Sequence, residues 1–300
     1  MIPNVFHFVF GLREQTEPFH LMYYLCLASC LEVNRPDAVC LHYQHEPWGE
    51  WWERIRPHLV LRRISPDASI TAHTYDDPVV ARFRYAHLAD VARLQILLDE
   101  GGVYADIDTL FLRPIPEEWR TRQFILGHET PPPAATHSGS LCNAWMASAP
   151  GAEFGRRWLE QLPHAFDGSW SNHSTLLPYR LWQQYPHLID VQPASAFYAL
   201  DWTPRGIADI FWREVTLPAD ARSLHLWNHL WFSPDRLDFS HFHEGLLTAD
   251  YVRHARTTYA RHARRVLPPD VSSSRSTYTW QAAASAMRHP WRTARLWMVR

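Results

Sequence analysis

Asp106 and Asp108 stand two residues apart near the end of the stretch AHLADVARLQILLDEGGVYADIDTLFL, residues 86–112. On an extended chain, side chains alternate faces, so such a pair points the same way and can face one bound ion. A hard divalent cation that carries a phosphate keeps one or two protein carboxylates and fills its shell with phosphate oxygens and water. Tyr104 falls on the same face. A bare Asp-x-Asp is usually a solvated turn or a cap. Here a long helix, the double glycine Gly101-Gly102 and an apolar strand precede it, and that context favours a site. Asp90 and Arg93 lie three apart on the helix and so share a face. The plain reading is a surface ion pair, worth little. Placed just before the glycine stop, Asp90 could instead accept from sugar hydroxyls, while Arg93 binds a phosphate or sugar oxygen.

The surrounding elements must position these groups. Apolar runs at 5–10, 38–43 and 59–64 predict strands, and the Gly- and Pro-free stretches 21–33 and 82–100 predict helices. Residues 103–112 read as the strand or strand-turn that carries the two aspartates. Further strands are expected at 124–127 and 141–147, a helix at 152–161, mixed loop and helix at 172–185, and a strand running into a loop at 224–231. Three prolines make 130–139 a loop. A basic helix is expected at 252–265, a tether at 272–276 and a basic, Trp-bearing helix at 277–300. Alternating strands and helices argue for an α/β fold with a mixed, mostly parallel sheet flanked by helices. In such sheets ligands bind beyond the carboxyl ends of strands, where Asp106 and Asp108 fall. The expected organisation is one domain over 1–268 and a C-terminal tail over 269–300.

Composition narrows the classes. The chain has 300 residues, 46% hydrophobic, with a net charge of −2, so no overall field recruits nucleic acid. The N-terminal apolar run lacks a leading charged region and is too short for a signal peptide. No apolar run reaches the roughly 18 residues that span a membrane. A cytoplasmic protein is the expectation. Cys26, Cys30, Cys40 and Cys142 form no CxxC pair and read as buried thiols. The 15 tryptophans suit sugar and base stacking, although large cores use them too.

Asp90-Val-Ala-Arg93 followed by Leu97-Leu-Asp-Glu-Gly101-Gly102-Val-Tyr104-Ala-Asp106-Ile-Asp108 resembles the signature of glycosyltransferase family 32, the DXD sugar-binding region. The opening Ile2-Pro3-Asn4-Val5-Phe6-His7-Phe8-Val9-Phe10-Gly11 resembles that family's first strand, and Leu224-His225-Leu226-Trp227-Asn228-His229-Leu230-Trp231 its late His-x-Trp segment. The resemblance covers roughly residues 1–235. It implies a GT-A type fold, a nucleotide-sugar donor with UDP favoured over GDP, Mn²⁺ or Mg²⁺, transfer with retention, and a glycan or lipid-linked acceptor. By the same resemblance Asp108 ligates the metal, Asp106 reaches it through water, and His225 completes the metal or diphosphate site. Asp90 and Arg93 hold the donor sugar, and Tyr104 lines the nucleotide pocket. Phe10, where the pattern often has Trp, stacks on the base, and Trp231 closes over the donor. Asp106, Asp108 and Arg93 are thus the expected catalytic set.

Alternatives stay open. His225 could be a structural histidine. His225 and His229 could share zinc only if their segment were helical and a third ligand existed. His241, His243 and Glu244 fit a surface loop as well as a metal site. Asn143 could touch a ligand or be a structural amide. The run Ser171-Asn172-His173-Ser174-Thr175 lacks the Gly-Pro that some relatives carry, so no acceptor role transfers to it. Front-face displacement is the expected mechanism, since no carboxylate nucleophile can be named. The rivals are an inactive nucleotide-sugar-binding protein and a DxD phosphatase. The tail, with Trp291 and Trp297 among arginines, reads either as an ordinary helix or as a peripheral contact to the inner face of a membrane.

Overall fold

The structure is a computed structural model and describes residues 1–65, 68–76, 78–129, 139–232 and 247–288. The strands are β1 (Val5–Val9), β2 (Ala38–Tyr43), β3 (Val60–Arg63), β4 (Gly102–Ala105), β5 (Thr109–Phe111), β6 (Phe124–Glu129), β7 (Ser140–Ser148), β8 (Asp190–Gln192) and β9 (Ser223–His225). The helices up to the middle of the chain are α1 (Leu21–Asn34), α2 (Glu50–Ile55), α3 (Ala68–Ala72), α4 (Pro78–Ala81), α5 (Arg84–Glu100) and α6 (Glu153–Ala165). They are followed by α7 (Leu177–Gln184), α8 (Ala194–Phe197), α9 (Pro204–Phe211), α10 (Ala249–His254), α11 (Thr258–Ala263) and α12 (Arg275–Arg288).

Seven strands form one sheet in the order β3-β2-β1-β4-β7-β6-β8. The β1–β2, β2–β3, β1–β4 and β6–β8 pairs are parallel, whereas β7 runs antiparallel to both β4 and β6. This is the mixed, mostly parallel sheet expected. Alternation along β4 shows how both faces are covered. Val103 and Ala105 join a core with α1, Trp52 and the later helices, while Tyr104 joins another with α5, α6 and α7. A strand covered on both sides needs apolar residues throughout, which is why β1 is apolar at every position but His7. Phe6 and Phe8 are fully buried, each worth about 1.5–3 kcal/mol.

Strand order reverses about β1, whose neighbours are β2 on one side and β4 on the other. The chain leaving β1 and the chain leaving β4 therefore part at their carboxyl ends and open a crevice. Gly101 and Gly102 set the start of β4 with φ of 69° and 101°. A Cβ on Gly102 would lie 2.5 Å from the Val5 carbonyl oxygen, so only glycine lets the strand approach β1.

Two expectations need correction, and one is resolved. Of the strand or strand-turn expected over residues 103–112, the strand-turn is what forms. β4 ends at Ala105, the Thr109 amide closes a turn on the Asp106 carbonyl at 2.9 Å, and β5 pairs with β9 in a separate two-stranded ladder. The aspartates converge through this turn, not through strand alternation. The basic helix at 252–265 is two helices, because Thr257 caps a new start and its side chain accepts from the Ala260 amide. The 272–276 segment is no free tether: α12 begins within it, and the Ser274 amide donates to Asp250. The four cysteines are buried and free. The tail beyond 288, with Trp291 and Trp297, lies outside the described residues, as do His241, His243 and Glu244. Among the described residues, no helix is long and apolar enough to cross a membrane.

Candidate active site

α5 carries Asp90 and Arg93 one turn apart on the face turned to the sheet, and both are buried. The Arg93 guanidinium lies 3.1 Å from Asp106 Oδ1 and 3.3 Å from Asp90 Oδ1, and it donates to the Asn143 carbonyl at 3.0 Å. Its Nε donates to the Ala89 carbonyl, and its plane covers the Tyr104 ring at 4.6 Å. Burial works against its charge, but the Asp106, Tyr104 and Asp90 oxygens outweigh that and raise its pKa. Asp90 is the hub of a second set. Its Oδ1 accepts from Asn143 Nδ2 at 2.7 Å, and its Oδ2 meets His173 Nε2 at 3.0 Å. Burial pushes the Asp90 carboxyl up, yet Arg93 and His173 together hold it below the usual range. A buried carboxylate with this many donors stays ionised.

The turn after β4 brings the two aspartates to the floor of the crevice. Asp106 accepts from the Tyr104 hydroxyl at 2.6 Å, while its amide donates to the Ala144 carbonyl. Asp108 is 5% exposed, and its Oδ2 takes the Asn228 amide at 2.7 Å. The β5–β9 ladder sets Thr109 opposite His225 and so delivers His225 to the same place. His225 Nε2 lies 3.3 Å from Asp108 Oδ1 and 3.7 Å from Asp106 Oδ2. Burial drives His225 down and Asp108 up, but their mutual attraction reverses both, so His225 is raised and Asp108 lowered.

Asp106, Asp108 and His225 each offer one ligand atom, all within 4.8 Å of one another. Neither ring nitrogen of the buried His225 makes a hydrogen bond. Its Nε2 instead faces the two carboxylates as an ion pair, and a metal ion would replace the proton at the centre of the three. Two carboxylates and one imidazole suit Mn²⁺ or Mg²⁺, with positions left for phosphate oxygens and water. The donor set therefore fits the ion.

Phe10, Asp90, Arg93, Tyr104, Asp106, Asp108, Asn143 and His225 all line one cavity of about 750 Å³. Phe10 sits at its edge, packed against the Phe19 and Tyr23 rings at 5.3 and 5.0 Å. Trp231 belongs to the short helical turn Asn228–Phe232, and its side chain lies outside the described residues. His225 is in β9 and His229 in that turn, so they do not share a helical face as a zinc pair would require. His229 instead stacks on Trp170, centroids 5.1 Å apart, at the cavity wall.

Three functional candidates were missed by the sequence reading: His173, Asn228 and Tyr23. The Asn228 side chain donates to the Tyr23 hydroxyl at 2.7 Å while its amide holds Asp108. Contacts that join positions 83, 120 and 205 residues apart leave no local pattern. For Asn228 the only signal was its place beside the His-x-Trp segment.

Residues 29–125 match the family described as the glycosyltransferase sugar-binding region containing a DXD motif. Over 212 residues the chain is 33% identical to Glucan organizing enzyme 1 of Cryptococcus neoformans, which covers 67% of this chain and 55% of the relative. It is 26% identical over 187 residues to the human Alpha-1,4-N-acetylglucosaminyltransferase, covering 57% of this chain and 52% of the relative. The chain thus spans about half the length of these curated relatives. Solved structures similar to it include the PaToxG glycosyltransferase, with 14% identity, a TM-score of 0.44 and coverage of 62% of this chain and 70% of that one. The glycosyltransferase GlyE of Streptococcus pneumoniae TIGR4 has 8% identity, a TM-score of 0.48 and coverage of 95% and 64%.

Proposed function

We propose, for a chain that belongs to the family of glycosyltransferase sugar-binding regions containing a DXD motif, that it transfers a sugar from a nucleotide-sugar donor to a glycan or lipid-linked acceptor with the help of a divalent cation. The observation that carries this reading is the convergence of Asp106, Asp108 and His225 on one cavity with the Asp90–Arg93–Asn143 set. UDP is the proposed nucleotide. The names of the two curated relatives, one concerned with glucan and one transferring N-acetylglucosamine, support a polysaccharide or oligosaccharide acceptor.

Asp106, Asp108 and His225 would hold Mn²⁺ or Mg²⁺. When bound, the ion supplies Lewis-acid stabilisation of the charge that develops on the departing diphosphate. Arg93 adds a fixed positive charge in a buried place, where it acts more strongly than in water. Asp90 and Asn143 would meet the sugar hydroxyls, one accepting and the other donating. Phe10 and Tyr23 would take the base, with Trp231 closing over the donor.

The reaction proposed is front-face substitution. The bond from the anomeric carbon to the diphosphate oxygen breaks, the acceptor oxygen bonds on the same face, and its proton passes to the leaving oxygen. In this reading Asp106 and Asp108 hold the ion and Asp90 the sugar hydroxyls, so none of the three is assigned to attack the sugar.

The test is incubation with Mn²⁺ and a panel of UDP- and GDP-sugars without acceptor, reading nucleoside diphosphate release. Release with one donor, lost in Asp108→Ala, is expected. Binding of a donor without release or transfer would favour the inactive sugar-binding reading. Turnover of a generic phosphate monoester with a trapped aspartyl phosphate would favour the phosphatase. An inverted linkage by NMR would overturn retention.

A further inference from the structure

The chain folds an unusual backbone turn around one buried histidine. Residues Asn172–Leu176 form a π-helical turn just before α7, with the Thr175 and Leu176 amides both donating to the Ser171 carbonyl at 3.0 Å. Such single turns insert a residue into the helical register and occur often at functional sites. Its most deeply buried residue is His173, 0% exposed. Its carbonyl is fixed by the buried Trp158 indole at 2.9 Å. Its ring stands edge-on between Phe166 and His87, centroids 4.8 and 4.9 Å away. What this ring touches on its polar side is Asp90 Oδ2, at 3.0 Å.

The chemistry of that contact is one-directional. Asp90 is ionised and can only accept, so His173 Nε2 carries the hydrogen. His173 Nδ1 has no partner in its apolar surroundings. Asn143 and Arg93 meanwhile engage Oδ1. Both oxygens are therefore fixed from opposite sides, and the plane of the carboxylate cannot turn. A carboxylate required only for its charge, as a partner to Arg93, would not need the second clamp.

We propose that His173 is a positioning residue that fixes the Asp90 carboxylate for the hydroxyls of the donor sugar, so that the site distinguishes a nucleotide-sugar from the bare nucleotide. This rests on the reading of Asp90 as a sugar contact. A hydrogen bond to a charged group is worth about 1.5–3 kcal/mol, equivalent to roughly a ten- to hundred-fold change in affinity. The effect falls on the sugar and leaves the nucleotide alone, because His173 touches none of the Asp106, Asp108 and His225 cluster.

The experiment is calorimetric titration, with Mn²⁺ present, of wild type, His173→Phe and His173→Gln with UDP, GDP and a panel of their sugars. Phenylalanine keeps the ring packing without the donor, and the glutamine amide can replace the Nε2–H. Wild type should prefer one UDP-sugar over UDP. His173→Phe should lose that preference by roughly ten-fold or more while still binding UDP, and His173→Gln should largely restore it. Donor release should show the same pattern, with KM for the sugar nucleotide raised in His173→Phe. A folded His173→Phe, checked by its melting curve, that keeps the wild-type preference overturns the proposal and leaves the functional reading intact. Should His173→Phe not fold, His173→Gln decides, since an intact preference there with the Phe-like loss in His173→Asn is required. Wild type that binds no nucleotide of the panel overturns the functional reading itself.

Discussion

Two histidine clusters bracket the short strand β4, and they differ in what they leave unfinished. At its start, His7 Nε2 lies 3.0 Å from the Gly101 carbonyl, and His7 Nδ1 lies 3.0 Å from His42 Nε2. A carbonyl only accepts, so His7 carries its proton on Nε2, and His42 must donate to Nδ1. Both rings are buried and neutral, with burial pushing His7 to about 4 and His42 to about 3. Past the end of β4, His225 is equally buried, but its pKa moves the other way and both its nitrogens lack hydrogen bonds. The first cluster closes on itself and ties three segments of backbone together. The second closes only around something added. Burial and a displaced pKa are common to both, so neither marks a site. The convergence of His225 and two carboxylates on the cavity does.

The contrast can be broken most decisively at Asp108. Asp108→Asn keeps shape and removes charge, and donor release should fall roughly a thousand-fold. Activity near wild type would mean that the second cluster is as structural as the first. His225→Ala should raise the Mn²⁺ concentration for half-maximal donor release by roughly ten- to a hundred-fold, a shift typical of a perturbed metal shell. An unchanged Mn²⁺ titration would remove His225 from the set.

The first cluster should answer in stability alone. His7→Phe strands the Gly101 carbonyl and the His42 donor and should cost about 1–3 kcal/mol by urea unfolding, with kcat/KM for the donor unaltered. A changed kcat/KM would mean that the start of β4 communicates with its end. A last effect is in pH. Groups whose folded pKa is depressed bind more protons when unfolded, so stability is full above about 6.5 and declines as pH falls towards 4. His7, His42, His87, His262 and His128 all act this way, mainly through burial. Each contributes a slope of at most about 1.4 kcal/mol per pH unit. The depressed carboxyls of Asp90 and Asp108 lose theirs as pH falls through the ordinary carboxylate range, below this window, whereas the raised His225 works the opposite way, its contribution declining as pH rises above about 6.5. Urea midpoints at pH 7 and pH 5 should differ, and less so in His7→Phe.

Legibility in the sequence tracks the distance between partners. The helix, glycine pair and strand from Arg84 to Ala105 are a local pattern, and the observed α5 and β4 match it closely. Asp90 with Arg93, and Asp106 with Asp108, are local pairs, and their placement on one cavity follows from the strand-end rule. The turn at Asp106 was legible only as one of two options, strand or strand-turn, because an Ala-Asp-Ile-Asp-Thr run between apolar residues has strand composition throughout. His225 entered only through a resemblance, since one histidine among aliphatics has no periodicity to betray it. His173 and Asn228 were out of reach for a plainer reason: the atoms they hold belong to residues far off in the chain. The break between α10 and α11 was missed because Thr257 looks like any helical threonine until its hydroxyl is seen capping Ala260.

The ladder between β5 and β9 has a consequence for the order of folding. It pairs Thr109 with His225, and just beyond it Asp108 takes the Asn228 amide from 120 positions later. Closing so long a loop costs entropy that only the finished contacts return. The two aspartates can be set by their own neighbourhood, but their histidine arrives only when the last third of the chain has docked. A chain still emerging from the ribosome thus carries two carboxylates without a third ligand. Competence to hold an ion becomes a report that the fold is complete.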